Sequence, residues 1–359
     1  MNHPEHRPTG RRDERLRFLK SAFALAVFLI FVLTACNACR KQRLEGAHEA
    51  TITVYGFSIL QEPMEKEIFP AFSKEWERKT GQKLTFVSSF AGSETVTNQI
   101  LAGAKADLAV LAIERNAERL LKGEATKTDW REYPHKGIVN RTPMVIMVRN
   151  GNPKGIRDFE DLAKPGVRVI HPDPVSSGGA QWSLLALYGS QLVRSEKQTG
   201  KRDEAKALDL LKRIWKNVIA TPESARQART QFETGFGDAL VTYEVDALQL
   251  INRSAAFEIV APQSTVFSEH PVVIIDSGMT PSKRALVELF IHSLWSERAQ
   301  RAWVRYNFRS VTDERLNEAQ RQFVKIPLPI GIDYFGGWEE AYPAIIDGLW
   351  KKQVKTAGS

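Results

Sequence analysis

The chain has 359 residues, of which 43% are hydrophobic and 26% charged, with 23 Gly, 17 Pro and only two Cys. This is the balance of a globular chain with more than one core, and it excludes collagen-like, disordered and multispan membrane classes as well as a disulfide framework. The formal charge of +8 falls to +5 once the first 35 residues are set aside. No Lys/Arg-rich run or aromatic-interleaved basic stripe remains, so no nucleic-acid partner is expected.

Residues 1–35 read as a signal peptide. Arg11, Arg12, Arg15, Arg17 and Lys20 precede an apolar run over 21–33, shorter than the roughly 20 residues that span hydrocarbon as a helix. The run ends in Leu33-Thr34-Ala35-Cys36, which resembles a bacterial lipobox and implies lipidation of Cys36 as the first mature residue. An uncleaved anchor is the alternative. Cys36-Asn37-Ala38-Cys39 has redox-pair spacing but adjoins no βαβ pattern. Residues 36–50, polar and charged, are expected to be a tether between membrane and domain.

From residue 51 short β-rich runs alternate with helical patterns, the pattern of an α/β chain. Strands are expected over 51–57, 83–89, 107–112, 144–149, 167–171, 239–243, 257–261 and 272–276. Helices are expected over 64–80, 94–104, 180–188, 204–217, 225–234, 282–295 and 297–306, with a short one over 157–162 between two Gly/Pro turns. Ile68, Phe72 and Trp76 mark the buried face of the first helix. No internal repeat and no low-complexity linker occurs, which suggests domains joined by strands that cross between them.

Three helix starts carry the chemistry. Ser176-Ser177-Gly178-Gly179 follows a strand and opens a helix beginning Ala180-Gln181-Trp182. Glycine lets backbone amides approach a ligand, and the first N–H groups of a helix lack internal partners, so such an end attracts anions. Phe90-Ala91-Gly92-Ser93-Glu94 and Pro222-Glu223-Ser224-Ala225-Arg226 enter helices in the same way. Each could be an ordinary cap; together they could surround a compact oxyanion with amides. Arg226 either lends positive potential behind such a site or pairs with a surface carboxylate.

These segments together resemble the bacterial sulfate-binding proteins, the solute receptors of ABC importers for sulfate and thiosulfate. The resemblance is carried by residues 149–159 (Arg-Asn-Gly-Asn-Pro-Lys-Gly-Ile-Arg-Asp-Phe), by Lys164-Pro165-Gly166-Val167 and by residues 176–182. Gly237-Asp238-Ala239-Leu240-Val241-Thr242-Tyr243-Glu244, Phe257-Glu258-Ile259-Val260 and Phe335-Gly336-Gly337-Trp338 continue it to about residue 338.

The resemblance implies a two-lobed periplasmic-binding-protein fold of type II, each lobe a mixed, mostly parallel sheet flanked by helices. Lobe I is expected over 51–140 and 246–325 and lobe II over 141–245, with 326–359 packing on both. It further implies hydroxyl donors at Ser93 and Ser177, backbone donors at Gly178, Gly179 and Ala225, and one more donor near Phe57 or Ser58.

Tyr243 stands where the family has a Trp indole, and a phenol can accept as well as donate. Glu94 stands where the family usually has Gly; a carboxylate there would repel a dianion but could serve as acceptor for a partly protonated anion such as hydrogen phosphate, and the favoured expectation is that it turns to solvent and supports its own helix.

The function implied is capture of sulfate or thiosulfate in a hinged cleft by an exported, monomeric lipoprotein of the periplasm or cell envelope, followed by delivery to an ABC permease. Phosphate, molybdate or tungstate are alternative ligands. An envelope hydrolase or transferase on the same scaffold is the rival. No catalytic group, cofactor or metal is expected: His48, His135, His171, His270 and His292 share no ligand spacing, and no G-x-S-x-G, Walker-type loop or H-E-x-x-H occurs. His171, beside the second-lobe loop, reads as a hydrogen-bonded structural residue.

Overall fold

The computed structural model describes residues 49–355; the signal peptide, Cys36, His48 and nearly all of the tether lie outside them. The chain divides into two units by its internal contacts. In the smaller, residues 76–84 join residues 49–50: the Ala50 N–H donates to the Lys83 carbonyl at 2.9 Å, and Lys83 pairs with Glu49. All that follows concerns the larger unit, 51–75 with 85–355.

Its strands are β1 (Ala50–Phe57, entering from the smaller unit), β2 (Leu84–Ala91, likewise), β3 (Leu108–Val110), β4 (Ile138–Arg149), β5 (Val169–Ile170), β6 (Val218–Ala220), β7 (Ala239–Tyr243), β8 (Phe257–Val260), β9 (Ser264–Ile274) and β10 (Leu328–Ile330). They run in the order β2-β1-β3-β9-β4-β7-β5-β6, with β8 on β4 and β10 on β9.

Pairing divides this array in two. β1 and β3 are parallel, and β3 meets the end of β9 through Leu108 opposite Ile274. The first half of β4 pairs with the middle of β9, whereas Met144 to Arg149 pair with β7 and β8. β5 lies parallel between β6 and β7. β4 and β9 are therefore the crossing strands. Both begin well before the sequence suggests, because Asn140, Thr142, Pro143, Ser268 and Pro271 interrupt their apolar pattern.

The helices are α1 (Phe69–Thr80), α2 (Ser93–Leu101), α3 (Glu114–Lys122), α4 (Gly178–Thr199), α5 (Glu204–Lys216), α6 (Ala225–Glu233), α7 (Glu244–Ile251), α8 (Pro281–Ser293) and α9 (Glu297–Arg305). Phe69 stacks on Phe86 at 4.3 Å between centroids and Phe72 meets Phe290 edge-on at 5.1 Å, so aromatic burial fixes α1 against the first sheet. α4 runs eleven residues past its expected end, until Gly200 closes it in the left-handed conformation (φ 75°).

Ala247 and Leu250 of α7 pack with Val145, Met147, Phe232 and Phe257 in one buried core, and β8 hydrogen-bonds β4. The C-terminal segment packs on α3, α4 and α5. Trp338 meets Trp182 of α4 and Trp350 meets Trp215 of α5, both edge-on, and the Arg115 guanidinium of α3 covers the Tyr342 ring. Among the described residues no helix is long and apolar enough to cross a membrane.

Candidate functional site

Three helices begin at one place. Gly92, which precedes α2, lies so close to the other two starts that a Cβ on it would fall 2.4 Å from the Ser176 carbonyl oxygen and 3.0 Å from that of Glu223. The contact is reinforced by hydrogen bonds: the Glu94 N–H donates to the Ser176 carbonyl at 3.1 Å, and the Ser176 hydroxyl donates to the Glu223 carbonyl at 2.7 Å. The amino ends of α2, α4 and α6 thus converge, and their positive dipole ends with them.

α4 and α6 are capped locally: Ser177 Oγ accepts from the Ala180 N–H and Ser224 Oγ from that of Gln227, each at 3.3 Å. Capping uses only the acceptor side of Ser177 and does not engage its hydrogen. Ser93 does not cap α2, which starts from Gly92 with no side-chain cap. It is fully buried, accepts from the Ala112 N–H at 3.0 Å and donates to Asn116 Oδ1 at 2.8 Å.

The other expected residues close the same space. A Cβ on Gly178 would stand 3.2 Å from Ser93 Cβ, and one on Gly179 would stand 2.4 Å from the Tyr243 hydroxyl. Tyr243 is 1% exposed and its hydroxyl has no hydrogen-bond partner among the described residues. Burial, with Asp246 close by, raises its pKa, so the phenol keeps its proton. Phe57 packs on His270 at 4.4 Å and on Tyr243 at 6.2 Å between centroids. Ser58 opens a short 3₁₀ turn (Ser58–Leu60), and its carbonyl accepts from Arg226 Nε at 3.0 Å. Contacts thus join Gly178 to Ser93, and Gly179 and Phe57 to Tyr243, while Ser58 reaches the start of α6 through Arg226; Ser177 and Ala225 stand at the starts of α4 and α6.

One expectation is corrected. Glu94 does not face solvent; it is 5% exposed, and its carboxylate pairs with Arg115 (2.9 Å) and Arg119 on α3 while accepting from Gln181 Nε2 at 3.1 Å. Arg115 and Arg119 stand one turn apart and reach the same group. Arg226, for which the sequence leaves both readings open, gives its Nε–H to the Ser58 carbonyl, while burial depresses its pKa.

His171 is structural: its ring nitrogens contact the Pro172 carbonyl at 2.7 Å and Ser183 Oγ at 2.6 Å. Burial pushes its pKa down to about 4 and that of His270 to about 3, so both rings are neutral at pH 7. No group of His, Cys, Asp or Glu among the described residues could hold a metal ion.

Sequence reasoning missed Asn116, Gln181, Arg115 and Arg119. Only the i,i+4 spacing of the two arginines hinted at a shared carboxylate.

A model of bacterial extracellular solute-binding proteins matches residues 52–309. The sulfate-binding protein of Synechococcus elongatus is 30% identical over 348 residues, 96% of this chain and 97% of the relative. The sulfate-binding protein of Escherichia coli is 30% identical over 88% of this chain and 93% of its own. Among solved structures, the sulfate-binding protein SubI from Mycobacterium tuberculosis superposes with a TM-score of 0.73 at 27% identity, over 82% of this chain and 99% of that one. With strands β4 and β9 crossing between two α/β lobes and three helix starts meeting where the lobes face one another, the chain has the type II periplasmic-binding-protein fold and belongs to the bacterial extracellular solute-binding proteins.

Proposed function

We propose that this chain is the sulfate receptor of an ABC importer, closing its two lobes over the dianion and delivering it to the permease without turnover. The observation that carries the reading is the convergence of the α2, α4 and α6 amino ends beside the buried, unpartnered Tyr243 hydroxyl. Fixed amide dipoles and hydroxyl donors there replace the lost hydration, so no ordering of solvent opposes binding. The sulfate-binding relatives support the choice of ligand.

The disposition of Glu94 supports sulfate over a partly protonated anion. Its oxygens are engaged by Arg115, Arg119 and Gln181, so it offers hydrogen phosphate no acceptor toward the helix starts. Thiosulfate fits the same logic. Lobe I then comprises 51–143 with 264–325, and lobe II 144–263, the division following the strand pairing. The receptor acts as a monomer tethered to the membrane through a lipid on Cys36, whose amino-terminal position after export leaves the lobes free in the periplasm.

Isothermal titration of the full-length chain in detergent against sulfate, thiosulfate, phosphate, molybdate and tungstate tests the reading. Sulfate or thiosulfate should bind most tightly. No heat and no thermal shift with any of the five removes it. Metabolic labelling with a radioactive fatty acid, lost in Cys36→Ser, tests the anchor.

A further inference from the structure

The Ser93 hydroxyl is oriented by Asn116, and the amide has an unused capacity. Asn116 is fully buried; its Oδ1 accepts from Ser93 Oγ at 2.8 Å, while its Nδ2 has no partner among the described residues. In this orientation Ser93 cannot give its hydrogen to a ligand, because it is directed at Asn116. A serine oxygen, however, has two lone pairs and one hydrogen. The Ala112 N–H occupies one lone pair at 3.0 Å. Turning the amide over presents Nδ2 to the second lone pair, and the hydrogen is released toward the helix starts, where Gly178 lies against Ser93.

We propose that Asn116 is a positioning residue whose side-chain amide reverses when the anion binds, converting Ser93 from a donor to Asn116 into a donor to the ligand. This rests on the reading of Ser93 as a ligand donor. Either orientation of the amide leaves one of its own polar atoms unmatched, so what holds the observed one in the ligand-free protein is the acceptor it gives the Ser93 hydrogen. A dianion changes the balance: it attracts the Ser93 hydrogen, and two N–H donors on the same oxygen polarise that hydroxyl further. The empty site keeps its hydroxyl satisfied internally, and the filled site gains a directed donor.

Titration of sulfate into the full-length wild type, S93A, N116L, N116D and S93A/N116L in detergent tests the inference, each variant being checked by thermal melting. Asn116→Leu, which can neither donate nor accept, should weaken binding about 3- to 10-fold in the Ser93 background and have no effect beside Ser93→Ala. Asn116→Asp should weaken it further, since a carboxylate holds the Ser93 hydrogen permanently, and should recover affinity when the pH is lowered enough to protonate it.

In the wild type, the side-chain amide proton signals of Asn116, assigned by their loss in N116L, should shift downfield as sulfate is added. An N116L protein that binds as tightly as wild type while S93A binds weakly overturns the inference alone, as do unmoved amide signals. An S93A protein with wild-type affinity overturns both the inference and the assignment of Ser93.

Discussion

Gly92→Ala probes closure most directly. A Cβ there would fall 2.4 Å from the Ser176 oxygen and 3.0 Å from the Glu223 oxygen, both backbone atoms that cannot turn aside, and ordinary contact begins at 3.4 Å. The Ser176 carbonyl must therefore retreat by about 1 Å, which takes the 3.1 Å bond from the Glu94 N–H out of hydrogen-bond range.

The substitution leaves the open receptor almost untouched, because Gly92 is extended (φ −60°, ψ 142°), a conformation alanine adopts freely. Its cost of about 1–3 kcal/mol thus falls on the closed form. Sulfate affinity should drop about 5- to 150-fold, with the melting temperature of the ligand-free protein within about 2 °C of wild type. Calorimetric titration and a thermal melt measure the two. Binding within about twofold of wild type would mean that closure does not bring these starts together.

Tyr243→Phe removes a buried hydroxyl that has no partner, so the ligand-free protein should be as stable as wild type or about 1 kcal/mol more so, while sulfate binding weakens about tenfold or more; unchanged affinity in titration would show that the phenol does not touch the anion. Glu94→Gln leaves Arg115 and Arg119 without their carboxylate; their side chains are 23% and 30% exposed, so the loss should be about 2 kcal/mol, below the value for a fully buried pair. A shifted urea midpoint at constant slope reads it, and no shift would show that solvent already screens the pair.

The histidines set an acid dependence. His270 is held at about 3 and His171 at about 4, against an ordinary 6.5, so the unfolded chain takes up protons that the folded chain refuses. Their contribution is complete above the ordinary value and is lost as pH falls from there toward 4 and 3, each adding a slope of about 1.4 kcal/mol per pH unit. His270→Gln should flatten the curve of unfolding free energy between pH 6 and 4 by that amount, and an unaltered slope would assign the acid loss elsewhere.

What the sequence discloses and what it conceals divide on locality. The Ser/Gly-led starts of α2, α4 and α6 are visible because capping and glycine freedom act within a few residues, and Ala239–Tyr243 is visible because all five of its side chains are buried. The crossing strands are concealed because their partners satisfy polar groups that look like loop residues. Buried Asn140 and Ser268 both bond to His270, and Asn140 lies 130 positions from that ring.

Glu94 fails for the same reason. Beside a site for dianions, an isolated carboxylate reads as an intruder best turned outward. Its environment is set by Arg115 and Arg119, on a helix that starts twenty residues later, and by Gln181 of α4, which reaches it at 3.1 Å. A carboxylate that would repel the ligand becomes, through these three partners, a bond between α2, α3 and α4. One acidic side chain against two guanidinium groups also leaves a net positive charge behind the helix starts. The departure at Glu94 is thus compatible with dianion binding, for a reason that lies entirely in residues distant along the chain.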